Sequence, residues 1–337
     1  MAAKDKTRRD KAKNEAAVSD PKNEPAKAPE LGEYEQVKKI HPLYFNIVRK
    51  RYAWFTISLI LLIPGIISLI LQGFSLGIDF TGGTMMDVPF GTTVTQTAVS
   101  DALKSVELEG SVQLSDNDTR ALIRTKALTE EEKDQLLVAL SLVADFDKGD
   151  VLEEMVGPAM GQELTNNALK ALAIACVLMI LYITIRFQFA YAISGIIALL
   201  HDVLLVCGIF SIFQWQIDST FVAAVLTIFG YSINDTVIIF DRVRENEAKM
   251  KRDESYEDMI DKSVWQTMRR SINTVVAVLI ALFMIFIFGG ESTKIFALAM
   301  LIGVFSGAYS SIFNASQILL EIKNRTKARP KTAGSKA

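Results

Sequence analysis

From residue 53 to residue 71 the chain runs for nineteen residues without a charged side chain. At about 1.5 Å per residue, a helix of that length matches the hydrocarbon core of a bilayer. Inside hydrocarbon only a helix or a closed barrel satisfies every backbone polar group. Five further predominantly apolar runs of spanning length follow, at about 167–185, 191–213, 220–240, 272–288 and 295–319. Half of the 337 residues are hydrophobic although the first fifty are almost all polar, so the apolar residues are concentrated in these runs. The expected fold is a polytopic α-helical membrane protein with six transmembrane helices.

The connections set an expected orientation. Lys38, Lys39, Arg49, Lys50 and Arg51 precede the first run, and basic flanks stay in the cytoplasm. Arg186 falls on the next inner turn, and 214–218, an outer turn, has no Lys or Arg. The segment 242–270 is rich in both and belongs inside, whereas the outer turn 289–294 has one acid and one base. Both termini are then cytoplasmic in a multi-pass protein of the cytoplasmic (inner) membrane. Residues 1–40, rich in Lys, Glu, Ala, Asp and Pro, read as a disordered cytoplasmic tail, and 321–337 as a basic one. No apolar core directly follows the start, so the N-terminus does not read as a signal peptide.

Between the first two runs, residues 75–160 read as a small extracytoplasmic domain. Gly82 and Gly83 allow a tight turn before a β run at 84–88. A helix is expected at 95–106. Strands follow at 111–115 and 120–125, turned at Asp116, Asn117 and Asp118. The next helix, 129–144, carries a capping box of Thr129 and Glu132, and the last strand spans 150–156. The order β-α-β-β-α-β suggests a ferredoxin-like α+β domain. The remaining spans form a five-helix membrane domain, 167–320, interrupted by 242–270.

Polar residues within the runs are the candidates for function. The stretch 230–246, GYSINDTVIIFDRVREN, carries Asn234 and Asp235 well before the charged cluster that starts at Asp241. A carboxylate at that depth is costly and points to function. Thr227, Tyr231, Asn234 and Asp235 fall on one helical face by three- and four-residue spacing. Arg269 and Arg270 open the fifth run, and an arginine there is expected to reach toward Asp235, about 9 Å above Asp241. A second pair, His201 and Asp202, lies near the middle of the third run; polar support for neighbouring helices and a part in proton movement weigh equally. Gly303, Gly307 and Ser310 share a face of the sixth run, with Asn314 continuing it, and read as a packing surface. Cys176 and Cys207 sit in apolar runs and read as core residues rather than a disulfide or metal knuckle. With only His41 and His201, neither a metal motif nor a nucleophile triad can be assembled. A net charge of −2 gives no case for nucleic acid.

Six segments together resemble the SecF side of the SecD/SecF family of bacterial protein export. They are SLGIDFTGG, VGPAMG, LLHDVLL, GYSINDTVIIFDRVREN, QTMRRSINT and LIGVFSGAYSSI, spread over residues 40–320. The long fourth-run motif is the specific one. The resemblance implies a membrane machine of the resistance-nodulation-division superfamily and not an enzyme. It implies a heterodimer with a SecD-like subunit that supplies the other six spans. It further implies action with the SecYEG channel and the SecA motor on exported preproteins, within membrane lipid and without a bound cofactor. The drive would be the proton motive force, with sodium coupling left open. Asp235 corresponds to the aspartate of the family's IND motif, after Asn234, and Arg270 to its arginine before the fifth span. The competing readings are a half-size exporter of small molecules or lipids and, more weakly, an intramembrane enzyme.

Overall fold

At the junction of α+β domain and membrane helices, two glycines in a row let the backbone turn where no other residue fits. The computed structural model describes residues 44–250 and 254–328, together with Val37 and Lys39. The expected disordered tail over 1–40 otherwise lies outside the described residues, as does 329–337. Residues 45–328 belong to one compact unit.

A 3-10 turn, Val48–Lys50, leads into α1, Arg51–Leu71. The short strand β1, Ser75–Leu76, and the single-turn helix α2, Ile78–Thr81, follow. Then come β2, Gly83–Pro89, and α3, Gln96–Ser105. Strands β3, Gly110–Ser115, and β4, Arg120–Thr125, precede α4, Glu130–Ser141, and β5, Leu152–Val156. Helices α5, Pro158–Arg186, and α6, Phe189–Ile212, are joined by the strand β6, Gln216–Ile217, to α7, Ser219–Lys249. Helix α8 is Tyr256–Phe288 and α9 is Glu291–Ser310. A π-helical turn, Ser311–Ala315, joins α9 to α10, Ser316–Ala328.

Six helices are long and apolar enough to cross a membrane, the last formed by α9, the π turn and α10. Their apolar centres match the six runs, but several extend further. Helix α8 begins at Tyr256 instead of 272. Its polar first half is amphipathic, burying Met259, Ile260, Val264, Trp265 and Met268, so a search for uncharged runs passes it by. The last helix continues to Ala328 through good helix formers, so the segment expected as a tail from 321 starts helical.

The small domain is a four-stranded antiparallel sheet in the order β3-β4-β2-β5 with α3 and α4 on it. This is the ferredoxin-like arrangement the element order suggests. Thr129 and Glu132 form the capping box, and Asp116, Asn117 and Asp118 all turn through positive φ. Gly83 has φ of 131°, and a Cβ there would stand 2.3 Å from the Thr125 carbonyl oxygen. Gly82, at φ 72°, faces Pro158 where α5 begins, and a Cβ would lie 3.0 Å from its Cα. Two features escape the sequence: β1 pairs in parallel with β6, and Asp79 Oδ2 accepts the Ser219 N–H at 2.8 Å, supporting the start of α7 beside its cap, Asp218.

In the membrane portion α6, α7 and the last span form the centre, while α1, α5 and α8 expose most of their apolar faces. Helices α1 and α6 cross at Gly65 and Gly208, whose backbones nearly touch. At the end away from the small domain, the buried Asp261 carboxylate accepts the N–H groups of Ile47 and Val48 at 2.8 and 3.3 Å. That carboxylate satisfies donors that the entry to α1 leaves without intrahelical partners.

Candidate functional site

Asp235 lies on α7, 7% exposed, with one oxygen held and the other free. Its Oδ1 accepts the Ser271 hydroxyl at 2.6 Å, a length typical of a hydroxyl donating to a charged oxygen. Its Oδ2 is buried and meets no hydrogen-bond partner among the described residues. Among the described residues no hydrogen bond or ion pair joins Arg270 to Asp235. Arg270 is exposed, and its neighbour Ser271 fills the position beside the aspartate. The reason is helical phase: successive side chains turn by about 100°, so the buried position falls to Ser271, while the exposed Arg270 stays within electrostatic reach of the carboxyl. Arg269 is exposed as well.

The predicted one-sided stripe on α7 straddles a boundary. Asp235 faces the interior, and Tyr231 is half-buried with its hydroxyl unpartnered among the described residues. Thr227 and Asn234 are exposed, with Gly230 between them. Asn273 and Thr274 on α8 are exposed too, so polar groups stand on the outside of this single chain within apolar helices.

One turn before Asp235, Ser232 reaches the second acid. Asp202 on α6 is fully buried. Its Oδ2 accepts Ser232 and Ser310 hydroxyls, both at 2.6 Å, and its Oδ1 accepts Ser306 at 2.7 Å with His201 Nδ1 at 3.0 Å. Thr236 and Ser311 hydroxyls are 2.8 Å apart beside this group, Ser311 opening the π turn. Such turns recur at functional positions in helices. The Gly303 and Gly307 face lies against α7, opposite Ile228 and Ser232, and Ser310 is occupied by Asp202. Asn314 donates to Ser58 Oγ on α1 at 2.8 Å.

Sequence reasoning missed the serines Ser232, Ser271, Ser306 and Ser311. The available signal was spacing: Ser306 and Ser310 are four apart, on the face of the paired glycines.

Residues 139–325 match the family described as Protein export membrane protein SecD/SecF, C-terminal, and 67–94 match the SecD/SecF GG Motif. The chain belongs to the SecD/SecF family. The Protein translocase subunit SecF of Sebaldella termitidis is 39% identical over 293 residues, 85% of this chain and 94% of that one. The SecF subunit of Haemophilus influenzae is 35% identical over 295 residues, 87% of this chain and 90% of that one. The Protein translocase subunit SecDF of Bacillus subtilis is 35% identical over 284 residues, covering 83% of this chain and 38% of the fused one. A crystal structure of SecDF from Thermus thermophilus, titled a translocon-associated membrane protein, superimposes with a TM-score of 0.77. It is 30% identical and covers 83% of this chain and 39% of that one. The chain thus spans about two fifths of the fused SecDF proteins. In the family's terms, the GG motif is the Gly82–Gly83 turn and its surroundings: the joint between small domain, α5 and α7.

Proposed function

We propose that the chain is a SecF-type accessory subunit of Sec protein export, driven by protons that Asp235 takes up and releases. The free Oδ2 of Asp235, buried within the fourth span, carries this reading: it is the atom where a proton would attach. Ser271 holds the other oxygen, so the carboxyl keeps one orientation through both states. Arg270, one residue along, supplies a positive charge near the acid that a small shift of α8 would strengthen or weaken. Membership of the family and relatives named as translocase subunits favour this function over a half-size exporter and over an enzyme. The fused SecDF chains support a SecD partner. The exposed Thr227, Asn234, Asn273 and Thr274 suit a surface that such a partner covers. The SecYEG channel, the SecA motor and exported preproteins complete the proposed assembly, with both termini in the cytoplasm.

The test is proton-dependent export into sealed vesicles containing the chain and its SecD-type partner. Asp235→Asn keeps size and hydrogen bonding but cannot exchange a proton, so the complex assembles and proton stimulation disappears. Arg270→Lys keeps charge without the planar donor fork and retains part of the activity; Arg270→Ala loses more. Wild-type stimulation in Asp235→Asn, with proton dependence intact, would leave Asp235 a structural polar group.

A further inference from the structure

The arrangement around Asp202 includes one more buried atom with nothing to bond. Asp202 is an acceptor when ionised, and the donors gathered on it come from three helices: Ser232 of α7, Ser306 and Ser310 of α9, and His201 of α6 itself. Serine contacts of 2.6 and 2.7 Å have the length of hydroxyls donating to a carboxylate. With Asp202 ionised and the three hydroxyls pointing their protons at it, the imidazole completes the set by placing its own proton on Nδ1. The neutral ring then carries a bare lone pair on Nε2. His201 is 7% exposed, and Nε2 meets no donor among the described residues.

The other titratable groups of the packed elements are engaged or distant. Tyr309 of α9 faces the ring at 6.1 Å between centroids, but its hydroxyl donates to the Trp54 carbonyl and contacts Ser58. On α1 the charged residue is Arg51, paired with Glu257 and Glu321 at the far end. On α5, Glu163 and Lys170 are exposed and Arg186 pairs with Asp241. On α7, Asp235 is held by Ser271 and Tyr231 lies one residue before Ser232. Lys323 of α10 pairs with Glu247, which also accepts from Tyr191 of α6. Asp202 is thus the carboxylate that answers a charge on His201.

We propose that His201 is a second proton-binding group of the membrane interior, held by Asp202 and its three serines so that Nε2 takes the proton. This rests on the proton-driven reading and extends it from one acid to two centres a single turn of α7 apart. The step balances simply: a proton adds to the Nε2 lone pair, the ring becomes imidazolium, and the adjacent carboxylate keeps the buried pair neutral overall. Release reverses it. Asp202 is the positioning residue. Removing its charge leaves an imidazolium buried without a partner, which is the costly state.

The chain has two histidines, His41 and His201, so His41→Gln leaves one to observe. The full chain with that change, labelled with 15N in histidine and joined to unlabelled partner in vesicles, is read by nitrogen NMR as the pH is lowered. The expected result is an Nδ1–H tautomer that becomes doubly protonated, and an altered tautomer balance with lost titration in Asp202→Asn. His201→Asn keeps a donor toward Asp202 without a proton-accepting ring. Its proton-stimulated export should fall by about a hundredfold, the scale of a lost acid–base group. An Nε2–H tautomer, a ring that never titrates, or full proton-stimulated export in His201→Asn overturns the proposal. If His201→Asn fails to assemble, the titration of the intact ring decides. Loss of stimulation in Asp235→Asn alongside full activity in His201→Asn would reject this second group and leave the primary reading standing.

Discussion

Substituting Gly208 by alanine forces apart two helices whose backbones already touch. The new Cβ would stand 2.7 Å from the Gly65 Cα, while ordinary contact begins at 3.4 Å. Helices α1 and α6 must therefore separate by about 0.7 Å at this level. Three residues further along each helix, the Ser68 and Ser211 hydroxyls are hydrogen-bonded at 2.7 Å. The same displacement takes them to about 3.4 Å, the edge of a hydrogen bond, and loses about 1 kcal/mol. Overpacking and lost dispersion contacts add about 1–2 kcal/mol. The total of about 2–3 kcal/mol corresponds to a fall in Tm of about 3–4 °C at the size of this chain, with about 2.1 cal/mol/K of unfolding entropy per residue. A thiol-reactive dye on heating reads this directly, because Cys207 is the neighbour of the substituted residue and is free, as is Cys176. Gly65→Ala opens the same gap from the other side and should behave alike. Gly230→Ala, where a Cβ meets nothing within 4 Å, should leave the isolated chain unchanged. A Gly208→Ala protein that melts with the wild type would refute the close crossing.

Gly83→Ala combines a disallowed φ with a collision against the Thr125 carbonyl, and should lower the Tm of the small domain by more than Gly208→Ala lowers that of the bundle; equal melting by circular dichroism would contradict it. Labelling from outside sealed cells should modify Asp116→Cys and spare Ser255→Cys, and the reverse pattern would invert the proposed orientation. Hydrogen bonds from Thr129 hold the Glu132 carboxyl below the ordinary glutamate value of 4.5. A depressed carboxyl contributes stability that is present above its unfolded value and lost as pH falls through its native one. Acidification below that value should therefore loosen the first turn of α4, seen as faster amide exchange, and Glu132→Gln should flatten the dependence.

What could be read in the chain was whatever depends on runs and local patterns. Long apolar stretches announced the six spans, and the Thr129 and Glu132 spacing announced a helix start. Asp235 stood out because a carboxylate in an apolar run is a local contradiction. The arrangement around it was harder to see. Ser271 is small, common and next to an arginine that drew attention to itself, and only helical phase decides which of the two turns inward. The group on Asp202 needs serines from two other helices, and no spacing within one segment reveals that they converge. β1 and β6 are two residues each and far apart in sequence, too short for any alternation to register. The polar half of α8 hid for the opposite reason, since its buried face belongs to a helix that is charged on the other side.

The pairing of Gly83 with Val156 has a consequence for how this protein can be altered. The small domain is entered and left through adjacent strands, so its two ends form a single doorway. To the helices below, seventy-odd residues are topologically a loop between α2 and α5. A shorter turn, or a larger module with equally close ends, could be grafted at that doorway while the helices kept their places. The α2–α5 joint, with its Gly82 contact to Pro158, would be the part such a graft must keep.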